Sequence, residues 1–140
     1  MDRRKLMLGL VAMASAGEGG GGGHAQSTGN ETVYELRIYH LNEGKQPLIL
    51  ERFRTKETKI FERLGMHPVG YWVPTDEPLA GRTLVYLLRH RSRAEADANW
   101  AKFKADPEWI ALKAESEKDG AFVNKYDITF LTLTDFSPVV

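Results

Sequence analysis

Glu35, Arg37 and Tyr39 stand at alternate positions in one short stretch. A spacing of two is the repeat of one strand face, so an extended chain here projects an acid, a guanidinium and a phenol to the same side. The planar fork of Arg37 suits a carboxylate or an enolate oxygen. A second stretch offers Tyr86 and His90 on one parity, with His90 able to act as acid or base. Trp72, from a third stretch, joins Tyr86 as an aromatic wall. Glu35, Arg37, Tyr39, Trp72, Tyr86 and His90 together have the composition of a small-molecule pocket, a few polar groups among apolar walls. A plainer reading stands beside this one: Glu35 and Arg37 form an ion pair that satisfies the interior of the fold.

Other chemistries find less support. His40 and His90 fall near the same ends of two neighbouring strands, but parity puts them on opposite faces, and His67 belongs to another strand. No facial triad forms, and no metal site is expected. A haem held by His90 or His40 alone is the one cofactor worth weighing. An isolated histidine is more often a hydrogen-bonded structural residue, so no cofactor is expected. The chain has no cysteine, which excludes disulfides, thiolate-bound metals and a cysteine nucleophile. It lacks Gly-x-Ser-x-Gly and His-Glu-x-x-His, and Gly19 to Gly23 is no phosphate loop because no Lys-Ser/Thr follows. Trp100, Phe103 and Trp109 read as core and helix-junction packing rather than a ligand cage. Lys56, Glu57, Lys59 and Glu62 read as a solvated helix face.

The elements that must position these residues can be read in order. Thr32 to Leu41 is a strand rich in β-branched and aromatic residues. Asn42-Glu43-Gly44 turns the chain. From Gln46 to Leu64, Ile49, Phe53, Ile60 and Leu64 recur at helical spacing, with Pro47 in the first turn and Gly65 at the end. His67 to Val73 is a second strand, Pro74 to Gly81 a turn, and Arg82 to Arg91 a third strand. Ser92-Arg93-Ala94-Glu95 has capping-box spacing and starts a helix that Asp106-Pro107 restarts through Trp109 and Leu112. Phe122 to Thr134 is the fourth strand.

The fold class is therefore α+β, a βαββαβ order of ferredoxin-like type with a four-stranded antiparallel-type sheet. Right-handed crossovers are expected to set the first and third strands side by side and parallel in the centre, with both helices on one face. On the first strand the set Tyr34, Leu36, Ile38 and His40 is the more apolar and is assigned to the helices, with Val85 and Leu87. Glu35, Arg37, Tyr39, Tyr86, Leu88 and His90 are then expected to face the opposite side. An uncovered, aromatic-rich sheet face implies a second copy, hence a homodimer enclosing a cavity.

Composition sets the outer limits. The 140 residues carry 19 basic and 19 acidic side chains, 42% hydrophobic and 27% charged residues, values of a globular domain. A neutral chain without a basic stripe is no nucleic-acid binder. Arg3-Arg4-Lys5, then an apolar run from Leu6 to Ala16, is a signal-peptide pattern, too short to span a membrane. Cleavage after Ala25 is preferred to cleavage after Ala16, and twin-arginine and general secretion both remain open. Residues 1–25 are read as the signal, 26–31 as a disordered linker and 32–138 as the domain. The protein is expected to be exported, periplasmic or extracellular, with no stable membrane insertion after cleavage.

Tyr34-Glu35-Leu36-Arg37-Ile38-Tyr39, Trp100 with Phe103, Asp106-Pro107-Glu108-Trp109 and Phe136-Ser137-Pro138, in this order and spacing, resemble the NIPSNAP family over about residues 32–138. The resemblance implies a dimeric α/β barrel, two ferredoxin-like sheets facing each other around a cavity. Its biochemical role is unsettled in that family, while barrel relatives include small monooxygenases and haem-degrading enzymes. Two functions follow as expectations. One is an exported, non-catalytic homodimer that binds a small hydrophobic or aromatic ligand or a protein partner. The other is a cofactor-independent monooxygenase-like enzyme in which Arg37, Tyr39 and His90 stabilise a substrate anion.

Overall fold

In the computed structural model, which describes residues 31–139, the β-branched and aromatic stretch Val33–Leu41 forms β1. The chain turns at Gly44, whose φ of +77° lies in the region that favours glycine, and enters α1 (Gln46–Arg52) with Pro47 in the first turn. The helix does not run evenly to Leu64. A wide, π-helical turn over Phe53–Glu57 separates α1 from α2 (Thr58–Arg63). Strands β2 (His67–Trp72) and β3 (Thr83–His90) follow. Ser92 Oγ accepts from the Glu95 amide at 3.0 Å and starts α3 (Arg93–Ala105). Asp106 Oδ2 accepts from the Trp109 amide at 3.0 Å and starts α4 (Pro107–Ser116), and β4 (Val123–Leu131) completes the sheet. Each cap satisfies an amide that the first helical turn leaves without an intrahelical partner.

The strands lie in the order β2-β3-β1-β4, a ferredoxin-like sheet with the helices on one face. β1 and β3 are central neighbours but antiparallel, Leu36 opposite Leu87 and Arg37 opposite Tyr86, which corrects the parallel arrangement expected above. The reason is topological. A right-handed crossover makes β1 and β2 parallel, and the hairpin from β2 sends β3 back into the slot between them. The same geometry separates the two histidines. His40 lies opposite Thr83 at one end of the sheet and His90 opposite Val33 at the other.

The sides of the sheet are also reversed from expectation. Glu35, Tyr39, Leu84, Tyr86, Leu88 and His90 are buried, and Tyr39 and Tyr86 pack with Phe53 and Phe61 beneath the helices. Leu36, Ile38, His40, Val85 and Leu87 are on the other face and only half-buried. Average apolarity misled because the polar groups of the inner face satisfy one another, which makes their burial affordable. Trp72 stands opposite Val85 on the open face and is 53% exposed, so it does not join the Arg37–Tyr39 group. Its indole lies over Gly70, where an added Cβ would meet ring carbons at 2.6 Å. Tyr71, opposite Tyr86, takes the inner position instead, with its ring against Phe53.

The signal-like segment and nearly all of the linker, residues 1–30, lie outside the described residues. Among the described residues no helix is long and apolar enough to cross a membrane.

Candidate functional site

The inner face of β1 carries the site. Glu35 is fully buried, and three donors converge on its carboxylate. Arg37 Nε donates to Oε2 at 2.6 Å, while Trp100 Nε1 at 2.7 Å and His90 Nε2 at 2.8 Å meet Oε1. Burial alone would raise this carboxyl; the bonds from His90 and Trp100 and the charge of Arg37 overcome it and hold it below the usual carboxylate range. An ionised Glu35 accepts, so His90 Nε2 is the donor, and among the described residues His90 Nδ1 has no partner. The Arg37 guanidinium lies over the Trp100 ring, 3.8 Å from its centroid, and Nη1 donates to the Tyr39 hydroxyl at 3.3 Å. The Tyr39 and Tyr86 hydroxyls share a further hydrogen bond. Burial pushes Tyr39 up to about 12, the nearby Arg37 opposing, so it stays a neutral phenol at physiological pH. The Glu35–Arg37 ion pair of the plainer reading is thus formed, within a larger network.

A second network lies across from it. Arg52, itself buried, donates through Nε to Glu57 Oε1 at 2.9 Å, and through Nη1 to Glu117 Oε2 at 2.7 Å and Ser116 Oγ at 2.9 Å. Its guanidinium also lies 4.6 Å from the Phe122 ring centroid and 4.9 Å from that of Trp109. Glu57 is 3% exposed, which corrects its assignment to a solvated face; Lys56, Lys59 and Glu62 are exposed as expected. Arg52 and Glu57 are five residues apart, a spacing that points in different directions on an α-helix. The π-helical turn, bonded between residues five apart, stacks them. Burial raises the Glu57 carboxyl to about 7, against the opposing charge and hydrogen bond of Arg52.

Between the two networks opens a cleft of about 330 Å³. Arg37, Tyr39, Arg52, Glu57, Lys104, Lys113 and Glu117 supply its polar lining; Trp100, Phe103, Trp109, Val123, Tyr126 and Ile128 supply its walls. It lies between the sheet and the helices of one chain, not on the open face where the pocket was expected. The candidates separate accordingly. Arg37 and Tyr39 reach the cleft. Glu35, Tyr86 and His90 sit behind them as buried partners, and Trp72 is on the far side of the sheet. Trp100, Phe103 and Trp109 do pack together as core, with Phe103 and Trp109 centroids 4.5 Å apart, yet they also present edges to the cleft.

Sequence reasoning missed Arg52, Glu57 and Glu117. One signal was available, since Glu57 stands four residues after Phe53 and three before Ile60, on the apolar stripe itself. Among the described residues no group of three or more His, Asp or Glu could hold a metal ion. The cleft's own chemistry is that of two guanidinium groups, two lysine ammonium groups, two phenols and two carboxyls, of which burial raises Glu57 to about 7, set among aromatic surfaces.

Comparison with known proteins follows the same lines. The NIPSNAP family model matches residues 34–138. An uncharacterized NIPSNAP-like domain protein from Burkholderia xenovorans superposes with a TM-score of 0.69 at 20% identity, covering 79% of this chain and 92% of that one. A NIPSNAP family protein of unknown function from Agrobacterium tumefaciens gives 0.66 at 22% identity, covering 79% and 96%. SnoaB, a cofactor-independent oxygenase from Streptomyces nogalater, shares the fold at 11% identity with a TM-score of 0.53, covering 78% and 99%. Among curated proteins none matches.

Proposed function

The chain belongs to the NIPSNAP family, and from that premise we propose that it is an exported homodimer whose cleft between sheet and helices holds a small aromatic or hydrophobic molecule. The cleft carries the reading: about 330 Å³, aromatic walls, and the polar groups of Arg37 and Tyr39 at one side. That volume, with charged side chains set among aromatic walls, suits a compact ligand. The homodimer is supported by the open sheet face, where Leu36, Ile38, Val85 and Leu87 lie beside the exposed Trp72 and Leu131. Export rests on the basic and apolar pattern of residues 3–16.

Native mass spectrometry of the mature protein from its own compartment, alongside its denatured mass, tests all three parts. The expected result is a processed dimer carrying an additional small mass. An empty dimer that no aromatic molecule stabilises against heat overturns the ligand reading and moves the weight to a protein partner. A monomer overturns the dimer.

A cofactor-independent oxygenase is the second reading, favoured by the presentation of Arg37 and Tyr39 to the cleft, where they would stabilise a substrate anion. His90 would then act through Glu35 rather than on the substrate. This reading requires oxygen consumption with turnover, and His90→Ala should abolish it. Full rate in that variant removes His90 from the mechanism.

A further inference from the structure

Two guanidinium groups and one nearly buried carboxyl face the same aromatic cleft, each with valences that the protein does not use. Arg37 spends Nε on Glu35 and Nη1 on Tyr39; Arg52 spends Nε on Glu57 and Nη1 on Ser116 and Glu117. Among the described residues neither Nη2 has an acceptor. Glu57 accepts from Arg52 through Oε1 alone, and among the described residues its Oε2 has no partner, although the side chain is only 3% exposed and lines the cleft. Free guanidinium donors beside apolar walls suit a carboxylate on a planar body. A charged Glu57 would repel such a ligand, whereas a protonated Glu57 would donate to it.

We propose that the cleft takes an aromatic carboxylate together with one proton, the ligand's carboxylate meeting Arg52 Nη2 and Glu57 Oε2, with the proton held between the two acids. The inference rests on the ligand-binding reading of the cleft and names the ligand's class. No covalent bond to carbon is made or broken. The proton comes from solvent, and it leaves with the ligand.

The surroundings of Glu57 suit this role. Arg52 faces it from α1, Lys113 from α4 and Glu117 from just beyond the end of α4, Tyr39 and Arg37 from β1, Tyr71 from β2, Tyr86 from β3 and Tyr126 from β4, while Lys104 of α3 lines the same cleft. Glu117 is already bonded to Arg52, burial raises Tyr39 and Tyr71 to about 12, and it holds Tyr86 well above the usual phenol range. Of these groups Glu57 is the one carboxyl raised toward neutrality, and a second carboxylate beside it raises its proton affinity further.

The test is calorimetric titration of the mature protein with 2-naphthoate from about pH 6 to pH 9, a range in which the ligand stays ionised, with naphthalene-2-carboxamide as the uncharged counterpart. For the wild type, naphthoate affinity should fall toward tenfold per pH unit above neutrality, with uptake of about one proton per ligand in buffers of differing ionisation heat. Carboxamide affinity should not change with pH. In Glu57→Gln the naphthoate profile should be flat. A flat wild-type profile, or the same fall in Glu57→Gln, overturns the proposal. Binding of the carboxamide without the naphthoate overturns it while leaving the cleft as a binding site. Binding of neither removes the cleft reading and this inference with it. The wild-type comparison of the two ligands stands even if the variant fails to fold.

Discussion

Replacing Glu57 by Gln should remove a dependence of stability on pH. The folded chain raises this carboxyl from 4.5 to about 7, chiefly by burial. Between those values the folded protein keeps a proton that the unfolded chain has released. Stability from this group is therefore fully present below about pH 4.5 and is lost as pH rises through 7. At 1.36 kcal/mol per pH unit the shift amounts to roughly 3 kcal/mol, a large part of the stability of a domain this size. Glu35, Asp106 and Asp127 are shifted the other way, so what they contribute is lost at acid pH, outside this window. The assay is urea denaturation of wild type and Glu57→Gln at closely spaced pH values from about 4.5 to 8. Gln keeps an acceptor for Arg52 Nε, so a constant offset between the two proteins is of no consequence and the slope is what matters. The wild type should lose roughly 3 kcal/mol relative to the variant across the range. Parallel curves would refute the assignment of a proton to Glu57, and with it the reason for its burial.

Trp100→Phe keeps the ring beneath Arg37 but deletes the donor to Glu35, and should cost about 2 kcal/mol of unfolding free energy, read as a lower denaturation midpoint, as the loss of hydrogen bonds to buried charges does. Asp106→Ala removes the cap of α4 and should cost about 1 kcal/mol; Ser92→Ala at the start of α3 should behave alike, and an unchanged midpoint in both would show the caps to be idle. Ile38→Lys puts a charge in the middle of the open sheet face without touching the cleft, and under the proposed assembly light scattering should read a dimer for the wild type and a monomer for the variant. A dimeric variant would mean that the copies meet elsewhere.

The order and type of the strands and helices were legible because each has a local cause: β-branched runs, apolar residues at helical spacing, and caps at Ser92 and Asp106 whose side chains accept the amides three residues on, although the Glu95 carboxylate meets Arg91 instead of closing the capping box. Strand direction was less accessible, because it follows from where β3 is inserted and not from any residue within it. The side of the sheet was not legible from hydropathy at all. On β1 the inner positions read as Glu35, Arg37 and Tyr39, which looks like a solvent face until the long-range partners are known. His90, Trp100 and Tyr86 supply those partners from 47 to 65 residues away in sequence. Composition along one strand cannot register a donor that arrives from another element.

The cleft's second half shows the same limit at shorter range. Arg52 and Glu57 are ordinary surface residue types, and α-helical geometry turns residues five apart away from each other. One added residue in the turn Phe53–Glu57 changes that, bringing guanidinium and carboxyl within 2.9 Å and aiming both at the cleft. The sequence did hold one contradiction that could have been followed: Glu57 occupies a place on the stripe of Ile49, Phe53 and Ile60 that burial would ordinarily deny a charge. A carboxyl kept at such a place needs a partner or a proton. Among the described residues Glu57 has a partner for one oxygen only, and its side chain lines the cleft where a ligand would sit.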